Sequence, residues 1–153
     1  MAETRELIPK SDTPAEMPEG IAAKYYIRWP GDFKEITPDS LKRIMKNLRS
    51  GQWANIYLYH EADEEGDCMQ LESGEGLYAL QYLQDLGYIW TSTYNPDFLD
   101  SNEETGIDCS DGQSIILRKY TTSDQEAVMT AIEYFIRSGK LWDGIPWMKN
   151  GQE

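Results

Sequence analysis

Between Ser50 and Leu117 the chain has no lysine and no arginine, although its 153 residues hold 14 of them. The same interval carries 14 carboxylates: Glu61, Asp63, Glu64, Glu65, Asp67, Glu72, Glu75, Asp85, Asp97, Asp100, Glu103, Glu104, Asp108 and Asp111. The whole chain has a formal charge of −13. Such a balance disfavours direct contact with nucleic acid or anionic membrane, both of which need a basic patch on phosphates. It leaves two readings open: a surface that attracts a basic partner, or a set of solvated acidic turns. Histidine is nearly missing too. His60 is the only one, flanked by Tyr59 and Glu61. A Ser or Cys triad needs a marked nucleophile beside a histidine base, and no G-x-S-x-G or activating cysteine motif is present. The two cysteines, Cys68 and Cys109, form no CxxC and no Cys/His zinc spacing. Buried reduced thiols are expected, with a single bridge as the alternative. No run of about 18 apolar residues exists, and Met-Ala-Glu-Thr-Arg-Glu at the N-terminus lacks a signal peptide's apolar core. A cytoplasmic, soluble protein is the expectation.

Aromatic residues, by contrast, are plentiful. Five Trp, ten Tyr and three Phe, with hydrophobics at 40%, can build the core of one domain. Residues 1–20 mix charges with Pro9, Pro14 and Pro18, which predicts a flexible or irregular arm ahead of a single domain over 21–150. Residues 24–29 form an aromatic, β-branched strand that stops at Pro30-Gly31. Thr37-Pro38-Asp39 starts a helix whose apolar face is Leu41, Ile44, Met45 and Leu48, ended by Gly51. Lys42, Arg43, Lys46 and Arg49 are its wet side. Residues 53–60 and 68–72 read as a hairpin around an acidic tip, and Ser73-Gly74-Glu75-Gly76 as a further turn. Residues 77–83 fit either helix or strand and are taken as a strand, paired with a strand over 87–94.

Asn95-Pro96 breaks this pattern, and a polar, acidic insert follows, of a length that marks functional loops. A short edge strand is expected over 107–109, and a last strand over 114–120. Ser123 with Glu126, or Thr122 with Gln125, caps a second helix bearing Val128, Ala131, Ile132 and Phe135 on one face, closed by Gly139. Trp142 and Trp147 in the tail are expected to pack on the domain. Two helices with hairpin-linked strands give an α+β fold, with a mainly antiparallel sheet of about five to seven strands.

Several chemistries fail on spacing. A calcium loop counted from Asp63 needs glycine sixth and glutamate twelfth, and Cys68 and Gly74 stand there instead. The 73–76 turn has neither the lysine nor the strand–loop–helix setting of a phosphate loop. Acid pairs are numerous enough to arise by chance, and none carries a pocket signature. No metal, cofactor or catalytic residue is assigned.

The glycine turn at 73–76, the 77–83 and 87–94 segments ending in Asn95-Pro96, and the turn at Gly112 come before the strand over 114–120. After it stand the capped helix with Glu126-Ala127 and Ala131, then Phe135, Ser138-Gly139, Ile145 and Trp147. In this order the chain resembles immunity protein family one of bacterial polymorphic toxin systems, over about residues 51–147. Trp142, where the family more often has proline, and the acidic insert depart from its pattern. The resemblance implies a non-enzymatic protein that neutralises a cognate toxin domain, a basic deaminase or nuclease acting on nucleic acid. Acidic groups would steer the encounter above the neutral ~10⁵–10⁶ M⁻¹s⁻¹, and desolvated aromatics would anchor it. The expected toxin-binding residues are Asp97, Phe98, Asp100, Glu103, Glu104, Asp108 and Asp111 of the insert. Glu61, Asp63, Glu64 and Glu65 of the hairpin tip join them, with Trp90 and Tyr94 as anchors. For Trp90, core packing is the alternative. A rival of another class is a small hydrolase or ligand-binding domain using carboxylates near His60; a third is an interaction module within a larger assembly.

Overall fold

The computed structural model describes residues 3–26, 34–59, 67–109 and 112–152. Eight strands form one antiparallel sheet: β1 (Glu3–Ile8), β2 (Lys24–Tyr26), β3 (Lys34–Glu35), β4 (Asn55–Tyr59), β5 (Cys68–Gly74), β6 (Leu77–Gln84), β7 (Ile89–Ser92) and β8 (Trp147–Gln152). Their order across the sheet is β1-β8-β7-β6-β5-β4-β2-β3. Helices α1 (Pro38–Ser50) and α2 (Gln125–Ser138) pack on one face. The α+β fold is as expected, with one strand beyond the expected range.

Period-two alternation sets which side chains meet the helices. Ile56 and Leu58 of β4, Met69 and Leu71 of β5 and Leu80 and Tyr82 of β6 are buried against Leu41, Ile44, Met45 and Leu48 of α1 and Val128, Ile132 and Phe135 of α2. Phe135 meets Tyr82 edge to face with centroids 5.4 Å apart. Such geometry adds about 0.5–1.5 kcal/mol to burial. The β5–β6 connection is the two residues Glu75 and Gly76, both at positive φ (58° and 75°). This is the backbone a tight hairpin needs, and Gly76 takes it without a Cβ penalty. Trp147 is buried with its indole N–H donating to the Trp142 carbonyl at 2.8 Å, and Trp142 packs beside the core. Cys68 and Cys109 are both buried, and no disulfide joins them.

Several elements differ from expectation. Residues 3–8 of the expected arm are β1, in register with β8 from Glu3↔Gln152 to Ile8↔Trp147. A sheet-edge strand is wet on both sides, so its charged sequence carried little apolar alternation. Beyond it the chain is irregular but tied down: Ser11 N–H donates to the Asp143 carbonyl at 2.8 Å, and Ala22 N–H to the Ile136 carbonyl at 2.7 Å. The domain thus reaches from β1 to β8. Residues 107–109 and 114–120 are not strands; only Leu117 makes a single bridge, to Glu104, before a 3₁₀ turn at Arg118–Tyr120. The place beside β7 that a last strand would take is filled by β8.

Helix caps follow local chemistry. In α1, Thr37 Oγ1 accepts from Ser40 N–H at 3.1 Å while Ser40 Oγ accepts from Thr37 N–H at 2.8 Å, a reciprocal box. In α2 the cap is neither Ser123 nor Thr122 but Asp124, whose Oδ1 accepts from Ala127 N–H at 3.2 Å. A carboxylate there also complements the helix dipole. Asp124→Ala is therefore expected to cost about 1 kcal/mol in urea unfolding, and Ser123→Ala less than about 0.5 kcal/mol. The reverse ranking would restore the Ser123 cap.

Candidate functional site

Residues facing away from the helices make the second face of the sheet, and it is unusually polar for one so well covered. Alternation puts Asn55, Tyr57, Tyr59, Gln70, Glu72, Gln81, Trp90 and Ser92 there. Glu72 is 7% exposed and Ser92 2%. Their cover is the segment between β7 and α2, which has no room in the sheet and crosses its face.

That segment is held as a double layer. Its outgoing leg turns through a short 3₁₀ helix, Pro96–Phe98, capped by Asn95 Oδ1, which accepts from Asp97 N–H at 3.0 Å. The returning leg then pairs with it irregularly. Asn95 N–H donates to the Lys119 carbonyl, Arg118 N–H to the Glu103 carbonyl and Thr105 N–H to the Ile116 carbonyl, all at 2.8–2.9 Å. Thr93 Oγ1 donates to the Tyr120 carbonyl at 2.8 Å, fixing the return to the end of β7. At the far end, Gly106 N–H donates to Glu75 Oε2 at 3.2 Å, so the β5–β6 turn holds the insert as well.

Two arginines from outside the cation-free interval clasp the acidic leg. Arg118 ion-pairs with Glu103 and lies over the Phe98 ring, 5.4 Å from its centroid. Arg5 of β1 donates to the Leu99 carbonyl at 3.2 Å and sits 3.7 Å from Asp100. Asp97, Glu104 and Asp108 are exposed and take no part in an ion pair among the described residues.

Beneath the returning leg lies a cleft of about 360 Å³. Its floor is Gln70, Glu72, Gln81 and Ser92; its sides include Trp90, Ile115, Leu117 and Tyr120. Glu72 Oε1 accepts from the Tyr57 hydroxyl at 3.2 Å, and Gln81 Nε2 donates to Gln70 Oε1 at 3.2 Å. Ser92 Oγ has no hydrogen-bond partner among the described residues. Ile115, on the rim, is 62% exposed.

Of the expected toxin-binding residues, the structure brings Phe98, Asp100, Glu103 and Glu104 together on the clasped loop, with Asp97 at its turn and Asp108 farther along. Trp90 is half-buried on the open face and lines the cleft, so it lies outside the helix-side core. Tyr94 lines a different groove, with Pro9, Pro96 and Thr122. Asp111, Glu61, Asp63, Glu64, Glu65 and His60 lie outside the described residues. Sequence reasoning missed Gln70, Glu72, Gln81 and Ser92. Their one signal was that the polar positions alternating with Met69, Leu71 and Leu80 are acids, amides and a hydroxyl, never lysine.

Chemically the face is quiet. Burial pushes the Cys68 thiol up, against hydrogen bonds from Gln70 and Tyr59, so it stays protonated and weakly nucleophilic. Burial, with the Tyr26 hydrogen bond at 3.1 Å, does the same for the Tyr59 hydroxyl. Burial also raises Tyr82. Among the described residues no group of three His, Cys, Asp or Glu side chains is placed to hold a metal, and no helix is long and apolar enough to cross a membrane. On the helix layer, Lys42, Lys46, Arg49 and Arg137 line a groove between α1 and α2 together with Glu133, which pairs with Arg137 at 3.1 Å.

Comparison with known proteins finds no family model, no curated protein and no solved structure that matches the chain.

The clasp sets a measurable expectation. Arg118→Ala removes a partly exposed ion pair and a cation–π contact, together worth about 1 kcal/mol. Amide hydrogen exchange over residues 98–106 is expected to quicken while the sheet strands keep their protection. Unchanged exchange in the loop would mean that its backbone bonds suffice without the arginine.

Proposed function

We propose that the chain is an immunity protein of the family-one type, a non-enzymatic inhibitor that binds a basic toxin domain through the acidic loop and the face it covers. The observation that carries this reading is the fixed loop itself. Asp97, Glu104 and Asp108 are displayed on a backbone clasped to the sheet, beside a cleft with aromatic and apolar sides. Charge on a preformed surface steers a cationic partner without a large ordering cost, and a neighbouring cleft offers the desolvated centre that affinity requires.

The loop's exposed Asp97, Glu104 and Asp108 lie away from the lysine-rich groove of the helix layer, so the field helps to orient a basic partner as well as attract it. A toxin that binds nucleic acid presents its own phosphate-binding surface to such a field. Occupying that surface would block substrate in the same act. A stable complex of this kind buries about 1,200–2,000 Å² in total.

The test is co-expression. A gene for a large secreted toxin is expected immediately upstream, and this chain is expected to restore growth to cells expressing that toxin's C-terminal domain. A missing neighbour or failed rescue contradicts the reading. For the surface, the triple variant Asp97→Lys, Glu104→Lys, Asp108→Lys leaves the Arg5 and Arg118 pairs alone. Association at low salt is expected to slow at least about tenfold. Asp12→Lys, Glu16→Lys, Glu19→Lys makes the same change in net charge at exposed positions elsewhere and is expected to slow it far less. Equal slowing by both would reduce the effect to net charge.

A further inference from the structure

We propose that the cleft beneath the returning leg is the seat of one arginine side chain of the partner protein. This rests on the reading of the chain as an inhibitor of a basic protein, and it adds which side chain makes the central contact.

The shape comes first. At about 360 Å³ the cleft is near the lower limit of ligand sites, which run from ~300 to ~1,000 Å³. It has room for a long side chain rather than a folded segment. Its floor is rich in acceptor groups: the Glu72 carboxylate and the side-chain amides of Gln70 and Gln81. Glu72 and Ser92 are more than nine-tenths buried. Of the two, Glu72 is the acceptor that matters: its carboxylate takes a hydrogen bond from the Tyr57 hydroxyl at 3.2 Å and brings the one formal charge among the described lining residues.

The sides then choose among donors. Trp90 offers aromatic surface and Ile115 and Leu117 aliphatic surface; Lys119 lies over the Tyr120 ring, 5.2 Å from its centroid, and no lysine or arginine is among the described residues that line the cleft. An anionic ligand would meet Glu72. A neutral amide could satisfy the floor but would gain nothing from the acids of the adjoining loop. A lysine ammonium is compact, strongly hydrated and unable to stack. Arginine fits each surface in turn: its methylene stem lies along apolar walls, and its planar, weakly hydrated guanidinium stacks on aromatic faces. Five donors fan out toward several acceptors at once. Glu104, an exposed acid of the loop, bridges Leu117 of the cleft wall through its backbone.

The test uses the intact chain and a defined probe. Acetyl-Gly-Arg-Gly-amide is titrated into ¹⁵N-labelled protein, with the citrulline and lysine analogues in parallel. Saturable shifts are expected at the Trp90 indole N–H and at the Ser92 and Gln81 amides for the arginine peptide. Citrulline, the neutral isostere, is expected to give none, and lysine to bind at least about fivefold more weakly. Glu72→Gln is expected to weaken arginine binding at least about tenfold. Since Glu72 is buried and its loss could disturb the sheet, Trp90→Leu provides a second variant, expected to weaken binding while keeping the apolar wall. No saturable shift at these groups, equal binding of citrulline, or indifference to both variants overturns the proposal. The two readings separate cleanly. Rescue from the toxin without arginine binding removes only the arginine seat; arginine binding without rescue keeps the seat and removes the inhibitor.

Discussion

The position beside β7 can hold only one strand, and β8 holds it. Everything distinctive about the molecule follows from that constraint. Trp147 enters the helix-side core at the start of β8, and the rest of the strand pairs with β7 on one side and β1 on the other. The chain between β7 and α2 is then excluded from the sheet. It crosses the open face, buries Ile107 and Cys109, and leaves a cleft where its returning leg spans β5, β6 and β7. A hydrophobic sheet face would have collapsed the segment onto itself. This one presents Gln70, Glu72, Gln81 and Ser92, so the space beneath the leg is polar at the bottom and apolar at the sides.

The loop's acids behave in two ways. Asp100 and Glu103 are used within the chain, by Arg5 and Arg118, and their work is to hold the backbone. These pairs are partly exposed, and each contributes little alone. Their value is in adding to three backbone hydrogen bonds between the legs and the Phe98 contact, so that Asp97, Glu104 and Asp108 are displayed on a fixed surface. A disordered acidic tail would attract a cation equally well but would have to be ordered on binding. The cation-free interval from Ser50 to Leu117 is thus bounded in space by arginines from either side of it.

Much of the fold was legible in the sequence. Two-residue alternation gave β4 through β7, and caps with apolar periodicity gave both helices, although Asp124 outcompeted Ser123 and Thr122 by standing one residue nearer the helix. What could not be read were the choices made between distant segments. β1 is too polar to announce itself, and it becomes a strand only because β8 offers an edge. Residues 114–120 have strand-like composition, yet they lost their place to a tail whose strand begins at Trp147. The site was half legible. The acidic loop shows in its composition, while the sequence around Trp90 fits core and surface alike. The floor of the cleft was hidden, because a polar residue alternating with apolar ones normally faces water. Only the covering leg turns Glu72 and Ser92 into buried groups.

The proposed binding surface joins the clasped loop to the cleft beside it. Amide hydrogen exchange, measured on the chain alone and bound to the basic toxin domain that the proposed function calls for, tests that union directly. The account expects new protection at residues 90–92, 97–108 and 114–120, with the groove between α1 and α2 unchanged. Protection centred on Lys42, Lys46 and Arg137, with the loop exchanging as before, would contradict it.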